Sequence, residues 1–183
     1  AAYRGDLYVL GGYTGRSDLS GPSRALLRYD PERDRWSRLP SMPTARAALA
    51  VGVVGGRLYA AGGANGVGAL ATLEIYDFAR RRWSRGPDMG VAREHLAGAV
   101  LGGAFYALAG RAVARGNFAV AERFDPGRRR WERLPAMRKP RGGIGAAAAG
   151  GRIVVVGGEE AAGTIARVEA YDPRRRRWSA AAS

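Results

Sequence analysis

"YDPERDRW", residues 29–36, reads on its own as a turn between two strands, and its recurrence decides the fold. The frame returns as "YDFARRRW" at 76–83, "FDPGRRRW" at 124–131 and "YDPRRRRW" at 171–178. In every copy Asp directly follows an aromatic residue, and Trp follows that aromatic by seven places. The sets are Tyr29, Asp30 and Trp36; Tyr76, Asp77 and Trp83; Phe124, Asp125 and Trp131; Tyr171, Asp172 and Trp178. The four tryptophans are spaced 47, 48 and 47 residues apart, so one period organises the whole chain.

Upstream of each frame lies a short β-prone run ending in small residues: "LYVLGG" at 7–12, "LYAAGG" at 58–63, "FYALAG" at 105–110 and "IVVVGG" at 153–158. The closing pairs are Gly11 and Gly12, Gly62 and Gly63, Ala109 and Gly110, and Gly157 and Gly158. Gly, Pro, Asn and Asp interrupt the units too often for helices of useful length, which predicts strands joined by turns. Four strands, a to d, fit each unit; in the second they are "AALAVGVV" (47–54), "RLYAAGG" (57–63), "ATLEIYDF" (71–78) and "RRWSRGPDM" (81–89). The "GG" pairs between a and b are hairpin turns, because glycine takes positive φ without steric cost. Unit boundaries fall at about 1–41, 42–89, 90–137 and 138–183. One such sheet cannot bury both faces, so copies must stack face to face, and a four-stranded repeat of this length predicts an all-β propeller. Strand a is built from small residues in the later copies ("AALAVGVV", "LAGAVLGG", "GIGAAAAG"), as suits inner strands crowded about an axis.

The 183 residues are 46% hydrophobic and 25% charged, ordinary values for a globular chain. Zero cysteines exclude disulfides, thiol nucleophiles and thiolate metal sites, and do not distinguish an oxidising from a reducing compartment. The longest uncharged apolar stretch, Leu96 to Gly110, is 15 residues and glycine-rich, short of the roughly 18 that suggest a membrane span. The opening "AAYRGDLYVL" has neither an initiator Met nor a signal-peptide layout and reads as cut from something longer. The net charge of +14 is an arginine excess, with Lys139 the only lysine. A basic surface draws acidic partners, but arginine spread along the chain also fits a drift in composition with solvated turn residues.

A strand ending in Gly-Gly, then a loop, then Tyr-Asp-Pro with Trp seven places after Tyr, at a period near 47, resembles the Kelch repeat of β-propellers. The resemblance spans all four copies. Ala109 departs from it in place of Gly, Val154 and Phe124 in place of Tyr, and Phe78 in place of Pro. The first unit also lacks strand a, and nothing after Trp178 supplies it. Kelch rings close by pairing strands from the two chain ends, and six blades are common. The resemblance therefore implies either four blades of a larger ring, with further blades as partners, or a four-bladed ring closed imperfectly. It also implies that each Trp packs between neighbouring blades. The 12 arginines of the c–d turns ("PERDR", "FARRR", "PGRRR", "PRRRR") are expected at the outer rim of one face. Such a rim could grip an acidic protein, a polyanion or nucleic acid, although nucleic acid is disfavoured because the nearby aromatics are core rather than exposed stacking platforms.

A second period is subtler. Arg46, Arg93 and Arg141 stand just before strand a, and Glu74, Glu122 and Glu169 follow at separations of 28, 29 and 28. Each Arg and Glu are expected to form a partly buried pair, since a buried carboxylate without a partner is costly. In the first unit the Glu position is Leu27.

Propellers of this family bind at the mouth of the central channel, on the face of the b–c loops and d–a links. That places Arg16, Asp18 and Ser20 of "YTGRSDLSGPSRA", then Asn65, then Arg111, Arg115 and Asn117, then Glu159 and Glu160, on the candidate face, together with Arg46, Arg93 and Arg141. "REHL" at 93–96 adds Glu94 and the only histidine, His95. A His and Glu pair could serve acid/base chemistry on a sugar, and the resembled family includes sugar enzymes such as sialic acid mutarotases. The copper site of galactose oxidase is excluded by zero Cys and one His. Adjacent Glu159 and Glu160 point opposite ways along a strand and make no coordination shell. No glycine-rich phosphate loop precedes a helix. The resulting expectation is a non-catalytic scaffold without cofactor or metal, binding a protein or peptide of acidic character. The rival is a sugar-processing enzyme centred on Arg93, Glu94 and His95.

Overall fold

The spacing of seven between the aromatic and Trp has a simple cause: it places the two residues directly opposite each other across a hairpin. Tyr29 faces Trp36, Tyr76 faces Trp83, Phe124 faces Trp131 and Tyr171 faces Trp178. Their ring centroids lie 4.9, 5.3, 5.2 and 5.2 Å apart in tilted contact. Such pairs contribute about 0.5–1.5 kcal/mol beyond their area burial. The Asp of the frame shapes the turn between them. Asp77 Oδ1 accepts the Arg80 amide at 2.8 Å, and Asp125 Oδ1 accepts the amides of Gly127 and Arg128 at 2.9 and 3.0 Å. Asp30 and Asp172 repeat the arrangement. Just before strand d the backbone turns left-handed at Asp34, Arg81, Arg129 and Arg176, with φ between 45° and 53°.

The structure, a computed structural model, describes residues 1–15 and 20–181. These residues contain no helix and form four antiparallel four-stranded sheets, each ordered a-b-c-d. The first blade comprises Ala2–Tyr3, Asp6–Leu10, Leu26–Asp30 and Arg35–Leu39. The second comprises Ala50–Val54, Arg57–Ala61, Leu73–Asp77 and Arg82–Arg85. The third comprises Ala97–Leu101, Ala104–Leu108, Ala121–Asp125 and Arg130–Arg133, and the fourth Gly145–Ala149, Arg152–Val156, Val168–Asp172 and Arg177–Ala181. The second blade's strands are shorter than their sequence runs because the run ends serve turns and bridges, as with Ala47 against Ala64.

One expectation is corrected. The first blade does carry an inner strand, the two residues Ala2–Tyr3, paired with Leu7 and Asp6. The turn that returns it is Arg4 and Gly5, at φ 51° and 88°, doing what Gly55 and Gly56 do in blade two. Two short hairpins also stand in the b–c loops, Arg111–Ala112 with Gly116–Asn117 and Glu159–Glu160 with Gly163–Thr164.

Three apolar layers lie between successive blades. Tyr8 and Leu26 meet Leu58 and Tyr76. Tyr59 and Ile75 meet Phe105 and Phe124. Tyr106 and Leu108 meet Ile153, Val155 and Tyr171. Hydrogen bonds fasten each seam. The indoles of Trp83, Trp131 and Trp178 donate to the carbonyls of Pro40, Pro87 and Pro135 in the preceding blade at 2.7, 2.8 and 2.9 Å. The amides of Gly12, Gly63 and Gly110 donate forward to the carbonyls of Arg46, Arg93 and Arg141 at 3.1, 3.0 and 2.9 Å. The first glycine of the pair is small for the same reason: a Cβ at Gly11 or Gly62 would lie 2.4 or 2.7 Å from the next blade's Arg carbonyl. At Gly157, in the last blade, it would meet nothing within 4 Å. Of the departures from the repeat, Phe78 fills the space between blades one and two, stacked on Tyr3 at 4.5 Å.

Candidate functional site

The loop-bearing face is built on the buried Arg–Glu pairs. Arg46, Arg93 and Arg141 are fully buried. Arg46 reaches Glu74 at 2.8 Å, Arg93 reaches Glu122 at 2.5 Å, and Arg141 pairs with Glu169, so the paired reading holds in all three blades. All three pairs lie within one blade. Each guanidinium also donates to backbone carbonyls of strand b and of the residues that flank its b–c loop: Ala60, Gly62 and Thr72 for Arg46, Ala107 and Ala109 for Arg93, and Gly157 and Arg167 for Arg141. The carboxylate takes hold of the d–a link through its other oxygen, by the Thr44 hydroxyl, the Gly90 amide and the Arg138 amide respectively. Burial lowers the pKa of Arg46 and Arg93, and the facing glutamates oppose that shift. The clamp fixes loop and link together, because its guanidinium bonds the carbonyls flanking the loop and its carboxylate bonds the link.

Past the clamps the chain turns left-handed at the rim of the hub, at Ala48, His95 and Gly143. Their backbones link blade to blade: the His95 amide donates to Ala48 O and the Gly143 amide to His95 O, both at 2.9 Å. Beside them a backbone bridge joins link to loop in blades two to four, Ala47 with Ala64, Glu94 with Arg111, and Gly142 with Glu159. Only in blades three and four does this belt carry polar chemistry among the described residues. His95 Nδ1 lies 3.0 Å from Glu94, and Arg111 lies 3.3 Å from His95 Nε2. Because the guanidinium can only donate, Nε2 accepts, and Nδ1–H donates to the carboxylate. Arg111 also reaches Glu159 at 2.5 Å. Asn117 donates to the Glu159 carbonyl at 2.6 Å. Glu160 turns the other way, to Lys139 at 2.7 Å.

The structure therefore brings together Glu94, His95, Arg111, Asn117 and Glu159. It withdraws Arg46, Arg93 and Arg141 into the blades. Asn65 shapes its own loop by accepting the Val67 and Gly68 amides. Arg115 lies over the Phe118 ring at 5.5 Å and has no carboxylate partner among the described residues. Arg16 and Asp18 lie outside the described residues. A groove of about 590 Å³ runs along the loops of blades one to three, walled by Tyr13, Asn65, Ala92, Glu94 and Arg115. Val67 and Val113, on neighbouring b–c loops that line it, are each 96% exposed. The sequence reading passed over Tyr13, Val67, Val113 and Lys139; the signal for the valines was an apolar residue set inside "ANGVGA" and "RAVARG".

Repeated four-stranded sheets fastened in series about a hub, with varied loops on one face, define a protein of propeller build. The Kelch motif model matches residues 1–43, 45–90 and 140–183. The chain belongs to the Kelch-repeat family. It is similar to Kelch-like protein 26 of Mus musculus, 41% identical over 69 residues, which are 37% of this chain and 11% of that protein. Kelch-like protein 31 of Homo sapiens is 39% identical over 77 residues, 40% and 12% of the two chains. The Influenza virus NS1A-binding protein homolog of Mus musculus is 41% identical over 66 residues, 36% and 10%. The matched stretches thus span about a tenth of the length of these relatives.

Proposed function

We propose that this chain is a non-catalytic scaffold that binds a protein or peptide along the groove of the loop-lined face. The observation that carries the reading is the pair Val67 and Val113, large apolar side chains left 96% exposed on loops that line one groove. Exposed apolar groups on a rigid framework mark interaction surfaces. Arg115, a charge at the same groove with no carboxylate partner among the described residues, gives the preference for an acidic side chain in the partner. One relative's name, an NS1A-binding protein homolog, states binding of another protein and agrees in kind. The outward faces extend the proposal: Leu7, Val9 and Trp36 at one end and Val156 at the other are exposed and suited to further blades of the same build. The sugar-enzyme alternative needs Arg93, Glu94 and His95 to converge on a substrate. Arg93 is instead enclosed in its blade, and both ring nitrogens of His95 are occupied by Glu94 and Arg111. The test is selection of a displayed peptide library on the chain. Enriched peptides should combine an apolar residue with Asp or Glu and lose binding to a Val67→Asp/Val113→Asp variant. Peptides that bind that variant and the parent alike would refute the reading.

A further inference from the structure

On the face opposite the loop groove, neighbouring blades enclose a cleft between their c–d turns, and the three clefts differ. Between blades one and two, Phe78 occupies the space, stacked on Tyr3 and 4.8 Å from Tyr8, while Asp6 takes Arg28 at 2.8 Å. Between blades three and four, Glu132 neutralises the arginines, holding Arg176 at 2.7 Å and Arg123 at 3.7 Å. The cleft between blades two and three has neither device. Pro126 stands at the position equivalent to Phe78, and Ser84 at the position equivalent to Glu132. What remains is an open volume of about 430 Å³, within the range of small-molecule pockets. Four guanidinium groups, Arg57, Arg80, Arg82 and Arg129, face one carboxylate, Asp77, a surplus of three positive charges.

Asp77 orients two of the four, with Arg80 at 3.0 Å and Arg57 at 3.6 Å. Among the described residues Arg82 has no ion-pair partner, and neither has Arg129, which makes a long hydrogen bond to the Arg85 carbonyl at 3.4 Å. Tyr59 lies at the floor, nearly wholly buried. Burial raises its hydroxyl pKa, with Arg57 and Arg129 opposing from the two sides of the seam, so it stays a neutral phenol. Guanidinium forks match phosphate oxygens in pairs, and like charges gathered in a concave site attract a multivalent anion more strongly than the same charges on a convex rim.

We infer that the cleft between blades two and three binds a phosphate-bearing small molecule of diphosphate or triphosphate size, held by Arg57, Arg82 and Arg129. The site lies away from the loop groove and does not rest on the protein-binding reading. The test is calorimetric titration of the chain with inorganic triphosphate at about 0.15 M salt, where exposed charges are screened beyond roughly 8 Å. One site is expected. Arg82→Gln/Arg129→Gln should weaken it about tenfold or more, as loss of charge-assisted hydrogen bonds requires. Arg174→Gln/Arg175→Gln, the same charge loss in the turn of blade four, should change it less than about twofold. Unchanged urea midpoints establish that the variants fold; Arg82→Gln alone, expected to weaken binding about threefold or more, serves if the double variant does not. Absence of binding, or equal weakening by both pairs, overturns the site. A phosphoserine peptide binding more tightly than triphosphate overturns the assignment to a small molecule.

Discussion

Arg93 gives the sharpest test of how a blade holds its loop. The guanidinium makes four hydrogen bonds, to the carbonyls of Ala109, Val91 and Ala107 and to Glu122. Arg93→Met strands the Glu122 carboxylate, which among the described residues keeps the Gly90 amide alone. A buried charge left without its partner costs about 3–5 kcal/mol, and each carbonyl losing its donor costs up to about 1–3 kcal/mol more. We expect a loss of at least about 4 kcal/mol, a large part of the roughly 5–15 kcal/mol that holds a domain folded. Arg93→Met/Glu122→Leu removes the stranded charge but still takes a donor from the three carbonyls and the acceptor from the Gly90 amide, so about 3 kcal/mol should be lost. Glu122→Gln keeps an acceptor for Arg93 and should cost about 1–2 kcal/mol. The assay is urea unfolding followed by tryptophan fluorescence, with the double-mutant cycle isolating the pair. The reasoning is refuted if Arg93→Met lies within about 1 kcal/mol of the parent, or if the double variant is less stable than Arg93→Met alone.

Other predictions follow from the turns. Ala109 sits at φ 50° where Gly11, Gly62 and Gly157 occupy the equivalent positions, so Ala109→Gly should raise stability by about 1 kcal/mol in the same assay. The turn carboxyls of Asp77, Asp125 and Asp172 are held below their ordinary pKa chiefly by backbone amides, and Asp30 chiefly by the Arg33 side chain. A depressed carboxyl pKa means that protonation favours the unfolded chain. The contribution is complete above the unfolded value of about 3.9 and is lost as pH falls through the lower folded value. These turns should therefore leave the urea midpoint level from about pH 7 to pH 5 and lower it below about pH 4, and Asp125→Asn should lessen that fall. A fall that Asp125→Asn leaves unchanged would contradict the turn assignment.

Much of this was legible because the repeat speaks four times. Aromatic to Trp at seven places encodes a cross-strand pair, and Arg to Glu at 28 or 29 places encodes a clamp; recurrence separated both from accident. Features without a residue signature stayed hidden. Left-handed turns occupied by Arg81, Arg129 and Arg176 look like any arginine run, since the fold imposes a conformation their side chains do not announce. The inner strand Ala2–Tyr3 was missed because its turn uses Arg4 before Gly5 rather than two glycines. At the candidate face, position in the repeat placed Glu94 and His95 at the start of strand a and Arg111 in a b–c loop. The contact of Arg111 with Glu159, 48 residues distant in sequence, depended on how blades three and four pack together. The burial of Arg93 is complete where the Arg and Glu spacing predicted a partly buried pair, and it takes Arg93 out of the face that carries His95.

The central claim is that successive sheets are fastened in series, each Trp to the blade before it. Hydrogen exchange of the four indole N–H groups, followed by NMR in the native chain, tests it most directly. Trp83, Trp131 and Trp178 donate to Pro40, Pro87 and Pro135, whereas Trp36 is 52% exposed and has no acceptor among the described residues. Three slowly exchanging indoles and one fast one, assigned to Trp36, is the expected result. Four indoles exchanging alike, or a protected Trp36 beside a fast Trp131, would contradict it.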